Sequence, residues 1–172
     1  MLDFVFIRDV KDKGYWYLSV VDMATTFHLA KRCPSRKPEE VARVLQELWF
    51  RPFGVPERIV IDPDGGFRSI FLETGETLGS QVKSCAGQAH WQHGRVERQG
   101  GWLKELCRRT TDAVTATGEE ELSDVVDQAC SAKNALRRRA GFSPNQWVFG
   151  KEPRLPGDLC DEAHKLPAMT PS

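Results

Sequence analysis

Three acidic residues stand where they could hold divalent metal. Asp62 closes the apolar run Ile59-Val60-Ile61 and is followed by Pro63-Asp64-Gly65-Gly66-Phe67, while Glu97 lies within Gly94-Arg95-Val96-Glu97-Arg98. There are 34 residues between these two carboxylates, and a third, Asp3, stands near the start of the sequence. Mg²⁺ is a hard ion that takes oxygen ligands, keeps several waters, and is usually held by one or two carboxylates plus substrate phosphate. Two such ions about 3.5–4 Å apart clamp the attacking and leaving oxygens of an in-line displacement at phosphorus. Three carboxylates from distant segments therefore suggest metal-dependent phosphoryl transfer, with Asp64 as a second-line ligand beside Asp62.

The elements that must position them follow from local pattern. Residues 58–61 form a short apolar strand whose C-terminal end delivers Asp62, and ligands gather at such strand ends in α/β sheets. Phe4-Val5-Phe6-Ile7 and Tyr15-Trp16-Tyr17-Leu18-Ser19-Val20-Val21 are rich in aromatic and β-branched residues. With Lys11-Asp12-Lys13-Gly14 as a turn between them, they read as antiparallel strands. The strand carrying Asp3 has few residues before it and is expected to fray. Phe27-His28-Leu29-Ala30 is a third strand.

Pro38 suits the first position of a helix whose apolar positions, Val41, Val44, Leu45, Leu48 and Trp49, recur at helical spacing. Pro52, Gly54 and Pro56 are expected to end it. Residues 67–73 read as a short helix, 81–84 as a strand, and 86–93 as a polar, glycine-containing loop. A long helix follows, with Val96, Leu103, Leu106, Cys107 and Val114 as its apolar stripe and Glu97 near the stripe's edge. Gly100-Gly101 falls inside it, so the turn after Glu97 is expected to be soft. Thr117-x-x-Glu120 is a candidate capping box for a last long helix, in which Leu122, Val125, Val126, Ala129 and Leu136 mark the buried side. It ends near Arg139. Strands, helix, strand, small helix, strand and two longer helices favour an α/β fold with a mixed sheet flanked by helices.

At 172 residues the chain fits one domain. Its 40% apolar and 28% charged residues match a globular protein rather than a disordered one. No apolar run approaches the ~18 residues of a membrane span, and no secretory leader pattern opens the sequence, so an intracellular protein with no membrane partner is expected. Cys33, Cys85, Cys107, Cys130 and Cys160 are odd in number and contain no C-x-x-C pair, which argues against a disulfide framework or a zinc module. The formal net charge is zero, so nucleic-acid binding would have to use local patches. One candidate is Arg95, Arg98, Lys104, Arg108 and Arg109; another is Arg137-Arg138-Arg139. The plainer reading of each is a solvated helix face.

Single features carry rival readings. His90 and His93 with Glu97 lack the i, i+4 histidine spacing of a zinc protease helix, and contact with DNA suits these histidines better. Gly65-Gly66 is not followed by Gly-Lys-Ser/Thr and is a turn rather than a phosphate cradle. Trp91 and Trp102 could stack on bases, although packing is favoured for Trp102.

Taken in order, these residues resemble the catalytic core of retroviral and retrotransposon integrases, within the DDE polynucleotidyl transferase superfamily. The matching features are the apolar strand ending at Asp62 with Gly65 and Phe67 after it, the Gly94-x-x-Glu97-Arg98 segment, and Lys104 two helical turns after Glu97. Asn134, Gly141-Phe142-Ser143-Pro144 and Phe149-Gly150-Lys151-Glu152-Pro153-Arg154 close the pattern. The interval from Asp62 to Glu97 is one residue shorter than is usual in the family. Asp22 matches a position where the family often has Asp, and reads here as a structural acid at a strand end.

The resemblance implies a ribonuclease H-like fold over residues 1–155, with a linker or disordered tail at 156–172. It implies Asp3, Asp62 and Glu97 as catalytic metal ligands for two Mg²⁺ or Mn²⁺ ions. Lys104, Arg95, Arg98 and His93 would contact DNA. The implied reaction is 3′-end processing and strand transfer, with element ends and target DNA as partners, a homodimer or higher oligomer on DNA, an exposed apolar patch, and nuclear action if the element is eukaryotic. No zinc module precedes the core and little follows it, so a fragment of a longer polyprotein or a decayed copy is expected. The alternatives are a catalytically dead binding module derived from an integrase, and a related transposase or ribonuclease H-like nuclease.

Overall fold

The computed structural model describes residues 1–61, 79–84 and 90–153, with residues 84 and 90–97 described through their backbone alone. Strands β1 (Leu2–Arg8), β2 (Gly14–Val21) and β3 (His28–Arg32) form an antiparallel meander. Strands β4 (Arg58–Ile61) and β5 (Gln81–Ser84) add in parallel on the other side of β1. The resulting order is β3-β2-β1-β4-β5, a mixed sheet with β1 at its centre.

Alternation along β1 and β2 sends successive side chains to opposite faces. Leu2, Phe4, Leu18 and Val20 pack with Val41, Val44 and Leu45 of helix α1 (Pro38–Leu45), together with Ile59 and Ile61. Val5, Ile7, Tyr15 and Tyr17 pack on the other face with Leu103 and Cys107 of helix α3 (His90–Val114) and with Leu122, Val125, Val126 and Ala129 of helix α4 (Gly118–Leu136). Helices thus cover both faces. The β1 strand is paired on both sides rather than frayed, and Leu2 is buried.

Pro52 does not end the first helix. The chain passes from α1 through a π-helical turn, Gln46–Phe50, into the short helix α2 (Arg51–Phe53), and the N–H of Arg51 reaches back to the carbonyl of Gln46. The widened turn immediately before Pro52 relieves the clash of its ring with the preceding turn and the loss of its N–H. Termination falls to Gly54, whose positive φ of 82° with an extended ψ of 174° is suited to glycine.

The long helix already includes residues 90–93, which the sequence reading assigned to a loop. It also runs unbroken through Gly100-Gly101. Val114 and Leu136, expected in the core, are 59% and 68% exposed. Each is the last residue of its helix, where an apolar stripe outruns the surface it packs on. The start of α4 makes no side-chain capping bond from Thr117. Glu121 accepts the Thr117 N–H instead, at 2.7 Å, and Asp9 from the β1–β2 turn accepts the Gly118 N–H at 3.0 Å. A carboxylate at a helix N-terminus is favoured by the helix dipole, and these contacts hold the Asp9 carboxyl below its ordinary range.

The closing Gly-x-Ser-Pro segment is a helix start. Ser143 and Gln146 form a reciprocal capping box for helix α5 (Pro144–Phe149), and Gly150 ends it at φ 73°. Phe142, Trp147 and Phe149 are each about half exposed. Residues 154–172, including the expected tail, lie outside the described residues, as does the expected helix at 67–73.

Candidate active site

Asp3 lies on the central strand. It pairs across β1–β2 with Ser19, and on the other side Leu2 pairs in parallel with Ile61, the last residue of β4 and the one before Asp62. Asp62 and Asp64 lie outside the described residues. On β1 the odd-numbered residues Val5 and Ile7 face α3 and α4, so Asp3 belongs to that face.

Contact with α3 confirms this direction. A Cβ built on Gly100 would lie 3.4 Å from Asp3 Oδ2, which places the helix backbone directly against the carboxylate. Gly100 is buried and comes three residues, nearly one helical turn, after Glu97. Glu97, Arg95 and His93 are all on α3, with side chains outside the description. The two glycines differ in surroundings: a Cβ at Gly100 would touch Asp3 at van der Waals distance, whereas one at Gly101 would meet nothing within 4 Å.

The donor set is chemically suited to a hard cation, since carboxylate oxygens are what Mg²⁺ selects. Among the described residues no three His, Cys, Asp or Glu side chains converge as a metal-binding group. Of the trio, Asp3 alone has a described side chain. Asp22 does not join it: its carboxylate accepts from Ala24 N, Thr25 N and Thr25 Oγ1 at 2.5–3.2 Å, a structural role in the turn before β3.

Basic residues flank this region. Arg98 is exposed and lines an open groove with Thr26, Gln99, Arg137, Arg138 and Arg139. Two of these arginines are engaged, Arg138 with Gln146 and Glu152, and Arg139 with the carbonyl of Ala24. Arg137 makes one long contact to Gln99 at 3.5 Å, and neither it nor Arg98 forms an ion pair among the described residues. Lys104 is exposed on α3. Arg108 and Arg109 are tied to Glu105, whose carboxyl they hold down to about 2, so they offer less free positive charge than the sequence suggested.

Sequence reasoning missed a buried polar chain behind Asp3. His28, on β3, is fully buried, with Ser19 Oγ 2.8 Å from its Nε2 and Lys133 Nζ 2.7 Å from its Nδ1. Burial, together with the Lys133 charge, lowers the His28 pKa well below its usual value. Lys133 is 1% exposed, and burial brings its pKa down to about 7. Its Nζ also lies 5.9 Å from the Trp102 ring centroid, so Trp102 is a packing residue. The adjacent Asn134 clamps the His28 backbone, accepting its N–H at 2.9 Å and donating to its carbonyl at 2.8 Å. A signal was present in the sequence: position 133 falls four residues after Ala129, on the buried stripe of α4.

Among solved structures, the chain is similar to the HTLV-2 integrase catalytic core domain in complex with magnesium. The dimeric form gives a TM-score of 0.66 and the trimeric form 0.65, each at 19% identity over 84% of this chain and 91% of that one. It is also similar to a chain of a simian T-cell lymphotropic virus intasome in complex with PP2A regulatory subunit B56 gamma, with a TM-score of 0.71 at 19% identity. That match covers 90% of this chain and 54% of the other, so the chain spans about half the length of that relative. No protein-family model and no curated protein matches the sequence. The mixed five-stranded sheet with helices on both faces has the ribonuclease H-like α/β fold of retroviral integrase catalytic cores.

Proposed function

We propose that this chain is the catalytic core of an integrase from a retrovirus-like or retrotransposon element, a DNA polynucleotidyl transferase with associated endonuclease activity. The observation that carries the reading is the convergence on Asp3. Its strand pairs with the strand that leads into Asp62, and its carboxylate rests against α3 one turn beyond Glu97. Asp3 and Asp62 would hold one Mg²⁺ or Mn²⁺ ion, and Asp3 and Glu97 the other. When bound, such ions supply Lewis acidity and a nucleophile competent at neutral pH.

The chain's own residues then hold and orient DNA. Lys104, Arg95, Arg98 and His93 contact backbone near the element end, and the arginine groove beside Arg98 and Arg137 extends that path. Such contacts position the duplex without reading its sequence. In end processing, water attacks a phosphodiester and leaves a free 3′-hydroxyl; in strand transfer, that hydroxyl attacks target DNA. Phosphoryl transfer asks mainly for positioning and charge stabilisation, which this arrangement suits.

The half-exposed Phe142, Trp147 and Phe149 support assembly into dimers or larger oligomers on DNA. No helix among the described residues is long and apolar enough to cross a membrane. In a eukaryotic element the site of action would be the nucleus.

The test is a disintegration assay, in which a branched DNA mimicking the integration product is offered with Mn²⁺ or Mg²⁺ beside a Glu97→Gln control. Metal-dependent resolution that disappears in the control is the expected result. A folded protein that binds DNA but resolves nothing with either metal would instead support a catalytically dead, integrase-derived binding module.

A further inference from the structure

Lys133 is a buried amine with an unusual partner. Its Nζ is bonded to an imidazole, not to a carboxylate, and no ion pair to it exists among the described residues. Around it stand His28 on β3, the Trp102 ring on α3, Cys130 on its own helix and Arg137 just past that helix's end. A buried charge with so little compensation is costly, and an apolar residue of similar length would pack on α4 more favourably. Stability alone therefore does not account for a lysine here.

The chain of contacts has a direction. In its ammonium form Lys133 can only donate, and His28 Nδ1 then accepts from it. The proton of the neutral imidazole then sits on Nε2 and is donated to Ser19 Oγ, 2.8 Å away. The hydroxyl proton of Ser19 is left to point away from His28. Ser19 is the direct cross-strand partner of Asp3, on the same face of the sheet, where opposite Cβ atoms stand about 4.5–5.5 Å apart. Asn134 fixes the His28 backbone on both sides, so the imidazole cannot swing out of line.

We propose that Lys133, acting through His28 and Ser19, is a positioning residue for Asp3, fixing the direction of the Ser19 hydroxyl beside its cross-strand partner and with it the orientation of the carboxylate. The proposal rests on the reading of Asp3 as a metal ligand. Residues that orient metal ligands in this way typically affect metal affinity by about 10–100-fold when replaced.

The test compares wild-type protein with Lys133→Met, Ser19→Ala and the double variant, measuring Mn²⁺ affinity by calorimetric titration and disintegration kinetics on branched DNA. Each single substitution is expected to weaken Mn²⁺ binding by about tenfold or more and to lower kcat while leaving KM for DNA unchanged. The double variant should be no weaker than the worse single one, because both substitutions break the same chain. Ser19→Ala removes one oxygen and keeps the test open if Lys133→Met folds poorly. Wild-type affinity in the folded variants, or losses that simply multiply in the double variant, would overturn the proposal while leaving the proposed function intact. Wild-type protein that binds no Mn²⁺ would overturn both.

Discussion

Asp3 and Gly100 meet across the junction of β1 and α3, with Asp3 Oδ2 standing 3.4 Å from where a Gly100 Cβ would be. A Cβ there would just touch the carboxylate, and a branched side chain would compete with it for space at the centre of the candidate site. A glycine in a helix costs about 1 kcal/mol relative to alanine.

The two adjacent glycines should consequently respond in opposite ways. Gly100→Val is expected to lower DNA joining at least about tenfold, since the branched side chain meets Asp3, as read by disintegration. Gly101→Ala should raise the unfolding free energy by about 1 kcal/mol, as read by denaturant titration, and leave joining unchanged. Equal behaviour of the two variants would show that the approach of Asp3 to α3 is not what Gly100 serves.

Asn134 ties α4 to β3 through both backbone groups of His28. Asn134→Ala strands a buried N–H and a buried carbonyl, each costing about 1–3 kcal/mol when unsatisfied. The expected loss is about 2–4 kcal/mol in denaturant unfolding. A loss below about 0.5 kcal/mol would mean that water replaces the amide there.

Much of this architecture was legible because the patterns are local. Aromatic and β-branched residues marked β1 and β2, the run Ile59-Val60-Ile61 marked β4, and helical spacing of Val41, Val44 and Leu45 marked α1. The features that escaped depend on partners distant in sequence. Nothing near Thr117 announces that Asp9, more than a hundred residues earlier, will meet the N-terminus of α4. Nothing near Lys133 announces His28. The π-helical turn before Pro52 is a compromise between proline chemistry and an apolar face that continues past it. At the candidate site, the position of Asp3 on the central strand was legible, whereas its contact with Gly100 required the packing of α3 on the sheet.

Buried Lys133 and His28 make stability depend on pH. Lys133 titrates near 7 in the folded state and near 10.4 when unfolded, so across that interval the unfolded chain binds more protons and stability rises with pH. His28, with its folded pKa lowered, adds a loss of stability as pH falls through about 6.5. Thermal unfolding followed from pH 5 to 10 should therefore show Tm rising from the acid side toward alkaline pH. Lys133→Met should remove the rise above pH 7. A profile in the variant that matches wild type would contradict the buried, depressed lysine.

Arg98 and Arg137 carry charge that no acidic partner among the described residues neutralises, in contrast to Arg108 with its Glu105 and Asp112 contacts. Each phosphate contact contributes about 0.9 to the slope of log affinity against log salt. Arg98→Gln and Arg137→Gln should each reduce that slope by about one in DNA titrations, and Arg108→Gln should leave it almost unchanged. The reverse order would move the DNA path to the outer face of α3.

The central claim is that Asp3, Asp62 and Glu97 act together as the ligands of a phosphoryl-transfer site. The most direct measurement is metal-dependent disintegration of branched DNA by Asp3→Asn, Asp62→Asn, Asp64→Asn and Glu97→Gln, each confirmed folded by circular dichroism. Activity should be lost in the Asp3, Asp62 and Glu97 variants and retained in the Asp64 variant. An active Asp62→Asn beside an inactive Asp64→Asn, or activity that survives in Asp3→Asn, would contradict that claim.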